Sequence, residues 1–214
     1  MIAENISRLK SSIGNDAELI IVSKYRSIDE IMEAYHCGHR AFAENRVQAL
    51  AERAAQLPQD IEWHLIGHLQ TNKVKLVLPL VELIQSVDSL KLLWEIDKEA
   101  GKLNKIQNCL LEIKIAKEES KYGFEMSECR ELFTSGMMKE FKNVRILGLM
   151  GMATFTENKE QISAEFSGLK NFYDELNLIH QAGLKKLSMG MSGDYQLALE
   201  SGSNMLRIGS AVFS

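Results

Sequence analysis

The segment Glu18-Leu-Ile-Ile-Val-Ser-Lys24 decides the fold class, because it is a short, continuous apolar run that ends in a cation. Continuous apolar runs are typical of strands buried on both faces, as in a parallel sheet. Folds built on such sheets place their ligands at the carboxyl ends of the strands. Lys24 is therefore either a surface lysine just beyond a strand or a reactive amine that can form a Schiff base with a carbonyl group.

Seven further β-rich runs follow this strand, at 40–43, 61–66, 81–85, 108–115, 144–150, 185–189 and 205–208. Helical patterns separate them, for example at 46–57, 70–78, 89–100, 126–139 and 158–182. An amphipathic helix that ends near Gly14 precedes the first strand, and the capping box Ser27-Ile-Asp-Glu30 predicts the start of another helix. Eight strand–helix units predict a (β/α)8 TIM-type barrel with an additional N-terminal helix, with an open doubly wound sheet as the alternative.

The composition argues against several classes of protein. The formal net charge is −4 and the 25 Lys and Arg residues are scattered, so no nucleic-acid-binding face is expected. No segment has the length of a membrane span and no signal peptide is evident, which predicts a cytoplasmic protein without a membrane partner. Three cysteines without a Cys-x-x-Cys pair indicate reduced thiols. We expect one domain, 1–214, since no linker interrupts the pattern, and a monomer, since nothing suggests an obligate partner.

Glycines and serines follow the last two predicted strands. Gly190 and Ser192 come after the seventh strand, and Gly209 and Ser210 after the eighth. The loops after strands seven and eight are the usual phosphate site of a (β/α)8 barrel, because backbone N–H groups in glycine-containing turns can form a nest for an anion. The glycines could equally serve only tight turns and helix capping.

Three other polar residues in or after strands each have two interpretations. Arg207 lies within the eighth strand and either contacts a ligand or forms an ion pair inside the barrel with Glu44 or Glu112. His64 lies within the third strand, where a histidine is more often a core residue than a catalyst. Asn45 follows the second strand and either contacts a ligand or caps the next helix. No His-Glu-x-x-His pattern surrounds the histidines, so no metal site is expected.

Several segments together resemble one family. They are Val22-Ser-Lys-Tyr25, Phe42-Ala-Glu-Asn45, Trp63-His-Leu-Ile-Gly-His-Leu-Gln-Thr-Asn-Lys73, Gln85-Ser-Val-Asp88, Gly148-Leu-Met-Gly-Met-Ala-Thr154, Leu187-Ser-Met-Gly-Met-Ser192 and Arg207-Ile-Gly-Ser-Ala211. In order and spacing they are similar to the pyridoxal phosphate homeostasis proteins, over essentially the whole chain. The resemblance implies a barrel like the N-terminal domain of alanine racemase, with pyridoxal 5′-phosphate bound as a Schiff base.

The resemblance also implies site residues. Lys24 would form the Schiff base, and Arg207 would approach the pyridine nitrogen. The remaining cofactor-binding positions, which hold the phosphate or line the pocket, would be Asn45, His64, Met189, Ser192, Gly209 and Ser210. An arginine at the ring nitrogen disfavours its protonation and weakens the ring as an electron sink. Cofactor chemistry such as transamination would therefore be poorly supported.

Three functions follow as alternatives. Racemisation needs two bases on opposite faces of the cofactor, and in alanine racemase the second base comes from a separate C-terminal domain that we expect this chain to lack. The first hypothesis is therefore a protein for pyridoxal phosphate homeostasis without efficient catalysis, with apo-enzymes as transient acceptors. The others are an amino-acid racemase-like enzyme and a phosphate-binding barrel, such as an aldolase-like or sugar-phosphate enzyme, in which Lys24 is only a charge. Lys121 is either a second vitamer contact or, as we favour, a solvated loop charge.

Overall fold

A computed structural model describes residues 1–117 and 122–214. Eight parallel strands pair in chain order and close into a barrel, since the first strand also pairs with the last, Ile20 opposite Arg207. The strands are β1 Glu18–Val22, β2 Ala41–Glu44, β3 Glu62–Leu65, β4 Leu83–Val87, β5 Gln107–Ile113, β6 Val144–Gly151, β7 Lys186–Ser188 and β8 Met205–Ile208. The predicted (β/α)8 barrel is confirmed, and the open sheet is excluded.

Helices alternate with these strands. They are α1 Ile2–Ile13, α2 Ile28–His36, α3 Val47–Ala54, α4 Val74–Val77, α5 Leu90–Lys102, α6 Met126–Thr134, α7 Lys159–Leu178, α8 Tyr195–Glu200 and α9 Ser210–Phe213. The Ser27 capping box forms as predicted, because the Ser27 hydroxyl accepts from the Glu30 N–H and the Glu30 carboxylate accepts from the Ser27 N–H. The helix predicted over 126–139 ends early, since Gly136 adopts a left-handed φ of 81° and a 3₁₀ turn, Met137–Lys139, follows it.

The N-terminal helix α1 packs against α2 and against the short C-terminal helix α9. Its apolar face, which includes Ile6 and Leu9, joins the core between strands and helices. The Asn5 Nδ2 atom donates to the carbonyl oxygens of Val212 at 3.1 Å and Ser214 at 2.8 Å. The opening helix therefore completes the outer layer next to β8 and holds the end of the chain against the barrel.

Alternate residues of each strand belong to two different cores, which explains the continuous apolar runs. Ile20 and Val22 lie in a small cluster inside the barrel, whereas Leu19 and Ile21 belong to the large core under the helices. The interior cluster consists of Ile20, Val22, Ala41, Ala43, Leu83, Leu110, Met150 and Met205. Polar side chains are also buried in the strands, among them Gln85, Ser188 and Arg207.

Candidate functional site

A cleft of about 610 Å³ lies at the carboxyl ends of the strands. Six of the eight residues predicted to bind a cofactor line it: Lys24, Asn45, Ser192, Arg207, Gly209 and Ser210. They come from the ends of four strands, β1, β2, β7 and β8, and the rest of the wall includes segments after β3 and β6. The closed barrel thus brings together residues that are up to 186 positions apart in the chain, from 24 to 210.

Lys24 lies on an exposed turn directly after β1. The Arg26 N–H donates to the Ser23 carbonyl at 3.0 Å, and Tyr25 within this turn has a left-handed φ of 67°. A non-glycine residue in that region costs on the order of 1 kcal/mol, and such strain is commonly found at functional sites. Among residues 1–117 and 122–214, no hydrogen bond or ion pair occupies the Lys24 ammonium group. The amine is therefore available to a ligand in the cleft.

The loops after β7 and β8 meet at Ser192. Its Oγ atom accepts from the backbone N–H groups of Gly209 and Ala211, both at 3.3 Å. These distances are longer than the usual 2.9–3.0 Å for N–H···O bonds, so the two donors are weakly satisfied. Gly190 allows the loop to approach, because it has a φ of 92° and an added Cβ atom would lie 2.6 Å from the Ala198 side chain. The result is a pair of convergent N–H donors at one end of the cleft.

Arg207 lies at the base of the cleft and is buried. Its NH1 atom donates to the Ser188 carbonyl at 2.9 Å and to the Ser188 Oγ at 2.6 Å, and NH2 donates to the Gly151 carbonyl at 3.0 Å. Burial lowers the pKa of the guanidinium to about 10, while the charges of Glu112 and Asp194 oppose that shift. Arg207 therefore remains a cation at neutral pH, and its hydrogen bonds leave capacity for a further acceptor.

Of the two interpretations of Arg207, the ion pair with Glu44 or Glu112 does not form in the described chain. Glu44 is buried on the outer side of the barrel, where its Oε1 accepts from Ser23 Oγ at 2.5 Å and pairs with Arg53 at 2.6 Å. Glu112 attracts Arg207 through its charge, but no ion pair within 4.0 Å joins Arg207 to any acidic residue of the described chain. Backbone and hydroxyl oxygens thus take the place of a carboxylate partner.

The structure does not bring His64 or Met189 to the cleft. His64 points into the barrel one layer below, because its register partner on β2 is Ala43, two residues before Asn45. Its Nδ1 atom lies 2.9 Å from Gln85 Nε2, and burial lowers its pKa to about 3. Met189 is fully buried in the core under the helices, and its neighbour Met191 lines the cleft instead.

Two residues near the cleft are not apparent from the sequence pattern. Gly67 approaches the backbone of Asn45 so closely that an added Cβ atom would lie 2.1 Å from the Asn45 carbonyl oxygen. The signal in the sequence is its place in the segment 63–73, one of those that resemble the family. Glu112, at the end of β5, has its pKa raised to about 7 by burial, with a smaller contribution from Asp88. In the sequence, Glu112 is indicated only as an ion-pair partner for Arg207.

The other cleft and the remaining polar groups of the described chain offer no comparable set of free donors. A second cleft of about 500 Å³ at the amino ends of the strands includes Glu18 and Arg40, but Glu18 is paired with Lys186 and Arg40 with Asp60. Within residues 1–117 and 122–214, no group of three or more metal-ligating side chains is found, and no helix there is long and apolar enough to cross a membrane. Lys121 lies outside the described residues.

Comparison with known proteins agrees with this geometry. The family described as alanine racemase, N-terminal domain, matches residues 1–214. PipY from Synechococcus elongatus PCC7942, solved with PLP bound, superposes with a TM-score of 0.92 and 33% identity, covering 100% of both chains. Alanine racemase from Clostridium difficile 630 superposes with a TM-score of 0.77 at 13% identity, over 99% of this chain and 56% of that one, which shows a shared fold.

Fold and site therefore define a barrel of the alanine racemase N-terminal class. Curated relatives give the narrower group. The pyridoxal phosphate homeostasis protein of Aquifex aeolicus is 41% identical over 200 residues, covering 93% of this chain and 87% of the relative. That of Helicobacter pylori strain 26695 is 38% identical over 198 residues, covering 92% and 86%. The chain belongs to the family of pyridoxal phosphate homeostasis proteins.

Proposed function

We propose that this chain binds pyridoxal 5′-phosphate in the cleft and takes part in homeostasis of that cofactor without efficient catalysis. The observation that carries the proposal is the convergence of three groups on one cleft: the Lys24 amine, the donor pair at Ser192 and the Arg207 guanidinium. The volume of about 610 Å³ is in the range of small-molecule sites. The homologous PipY was solved with PLP bound, which adds support.

The residues present fit the phosphate group of the cofactor. The Ser192 hydroxyl accepts two backbone N–H groups at 3.3 Å, and an anionic oxygen is a stronger acceptor than a neutral hydroxyl. A phosphate oxygen would accept hydrogen bonds from the N–H groups of Gly209 and Ala211 in place of Ser192 Oγ, and the Ser192 hydroxyl would donate its own proton to the phosphate. The Ser210 side chain is exposed at the same end of the cleft and would add another donor.

The residues also fit the aldehyde and the ring. The bound cofactor supplies an aldehyde that condenses with an amine, and Lys24 is the lysine that lines the described wall of the cleft. Arg207 would place a positive charge at the ring nitrogen and so disfavour its protonation. Asn45, beside the close approach at Gly67, would contact the ring from the opposite wall. His64 would support the site from the layer below and Met189 from the core under the helices, both without direct contact with the cofactor.

Limited catalysis follows from the charge of Arg207. A cofactor ring that stays unprotonated stabilises a carbanion poorly, so proton transfer at the Cα atom of an amino acid would be slow. The names of the curated relatives refer to homeostasis rather than to a reaction. We propose a monomeric cytoplasmic protein with one barrel domain over residues 1–214, which releases its cofactor to apo-enzymes.

Spectrophotometric titration with pyridoxal phosphate tests the proposal. Wild-type protein should bind about one equivalent of pyridoxal phosphate. Ser192→Ala should bind it about tenfold more weakly, because one contact to the anion is lost. The control is Lys10→Ala, in the cleft at the other end of the barrel, which should bind it as tightly as wild type. Saturable binding that Ser192→Ala leaves unchanged would contradict the phosphate assignment. Rapid, Lys24-dependent exchange of the alanine Cα proton in deuterium oxide would instead establish a racemase-like enzyme.

A further inference from the structure

Four buried polar side chains form a continuous hydrogen-bonded network across the barrel, directly below the cleft. Arg207 NH1 lies 2.6 Å from Ser188 Oγ, Ser188 Oγ lies 2.7 Å from Gln85 Oε1, and Gln85 Nε2 lies 2.9 Å from His64 Nδ1. Each of these residues is at most 3% exposed. They come from β8, β7, β4 and β3, so the network joins four of the strands.

Each hydrogen bond of the network has one direction in this structure. A guanidinium group only donates, so the Ser188 oxygen accepts from Arg207, and its own hydroxyl donates to Gln85 Oε1. In this orientation of the amide, the Gln85 NH2 group lies towards His64, and the Nδ1 atom of His64 accepts. His64 is therefore the neutral imidazole with its proton on Nε2. Burial, which lowers its pKa to about 3, favours the same neutral form.

The network and two backbone carbonyls together hold the guanidinium, since the network adds the bond to Ser188 Oγ at 2.6 Å to the bonds that Arg207 donates to the Ser188 and Gly151 carbonyls. If Gln85 were lost, the Ser188 proton and the His64 Nδ1 atom would both be buried without partners, which is costly in the low dielectric of the interior. The Ser188 hydroxyl would then reorient, and the bond to Arg207 NH1 would no longer be enforced. The bonds to the two backbone carbonyls would remain, but the guanidinium at the base of the cleft would lose the shortest of its three hydrogen bonds.

We propose that Gln85, acting through Ser188, is a positioning residue that holds Arg207 towards the ring nitrogen of the bound cofactor. The inference rests on the proposed function, since it assumes that pyridoxal phosphate occupies the cleft. It goes further by giving Ser188, Gln85 and His64, which do not line the cleft, a part in selectivity towards a ring that carries an acceptor nitrogen. His64 has the role of terminating the network as a neutral acceptor.

The test compares pyridoxal phosphate with its 1-deaza analogue, which keeps the aldehyde and phosphate but has carbon in place of the ring nitrogen. Wild-type protein should bind pyridoxal phosphate about tenfold more tightly than the analogue, the size expected of a charge-assisted hydrogen bond. In Gln85→Met this ratio should fall to about two or less. The matched control is Gln107→Met, an equally buried amide at the amino end of the barrel, which should keep the wild-type ratio.

The ratio separates positioning from a merely structural role. A structural role of Gln85 would weaken binding of both probes equally, so an unchanged ratio in Gln85→Met overturns the proposal. Ser188→Ala serves as a second variant if Gln85→Met does not fold. Its preference for pyridoxal phosphate over the 1-deaza analogue should also fall to about twofold or less. Wild-type protein that binds both probes equally would overturn the positioning role alone, whereas wild-type protein that binds neither probe would overturn the proposed function too.

Discussion

Glu112→Gln should change the pH dependence of stability, because burial makes this carboxyl hold its proton more tightly in the folded protein than in the unfolded chain. Glu112 is 7% exposed, and its pKa rises from 4.5 to about 7 through burial and the charge of Asp88, against the attraction of Arg207. A raised folded-state pKa gives a stabilising contribution that is complete below pH 4.5 and is lost as the pH rises through 7.

The size of the effect follows from the shift. One pKa unit corresponds to about 1.4 kcal/mol, so the change from 4.5 to about 7 corresponds to about 3 kcal/mol. Glutamine resembles the protonated carboxyl in shape and charge. The variant should therefore match wild type within about 1 kcal/mol near pH 5 and exceed it by about 3 kcal/mol near pH 8.

Urea unfolding of the ligand-free protein, followed by tryptophan fluorescence, measures these free energies by linear extrapolation. Glu200→Gln, at an exposed site on α8, is the matched control, and its stability should stay within about 0.5 kcal/mol of wild type at both pH values. If the difference between Glu112→Gln and wild type is the same near pH 5 and pH 8, the buried carboxyl does not titrate as described.

Three further predictions concern stability. Gly67→Ala should prevent folding or binding, since its Cβ atom would lie 2.1 Å from the Asn45 carbonyl oxygen. The control Gly193→Ala places its Cβ atom in open space and should melt within a few degrees of wild type by circular dichroism. If both variants melted at the same temperature as wild type, the steric argument would be refuted. Asn5→Ala should lose about 1–3 kcal/mol in urea unfolding, because two carbonyls of the C-terminal segment lose their donor, and no loss would contradict this role. Burial lowers the pKa of the His39 ring to about 4, so its NMR signals should not titrate above about pH 5. The contribution of the neutral ring to stability should fall as the pH drops from 6.5 towards 4. A titration midpoint near 6.5 in the folded protein would be the contrary result.

The barrel could be predicted because its strands are buried on both faces. Ile20 faces the interior and Ile21 faces the helices, so the sequence shows a continuous apolar run where a half-exposed strand would alternate. Lys24 and Ser192 could be predicted for a related reason, since any polar residue just beyond such a strand lies at the functional end of a parallel barrel.

Depth within the barrel could not be predicted in the same way. Period-two alternation places His64 inside but does not say which layer it occupies, which depends on the register between strands. Met189 follows the last residue of β7, and the left-handed turn at Gly190 that directs Met191 to the cleft is not determined by local sequence. The left-handed Tyr25 is equally hidden, because a tyrosine does not indicate positive φ.

Borohydride reduction of the protein with pyridoxal phosphate, followed by peptide mapping, tests the central claim most directly. The account predicts one modified peptide, labelled at Lys24, and no stable label in Lys24→Ala. A label distributed over exposed lysines, or a single label at another lysine, would contradict the assignment of Lys24 as the residue that holds the cofactor.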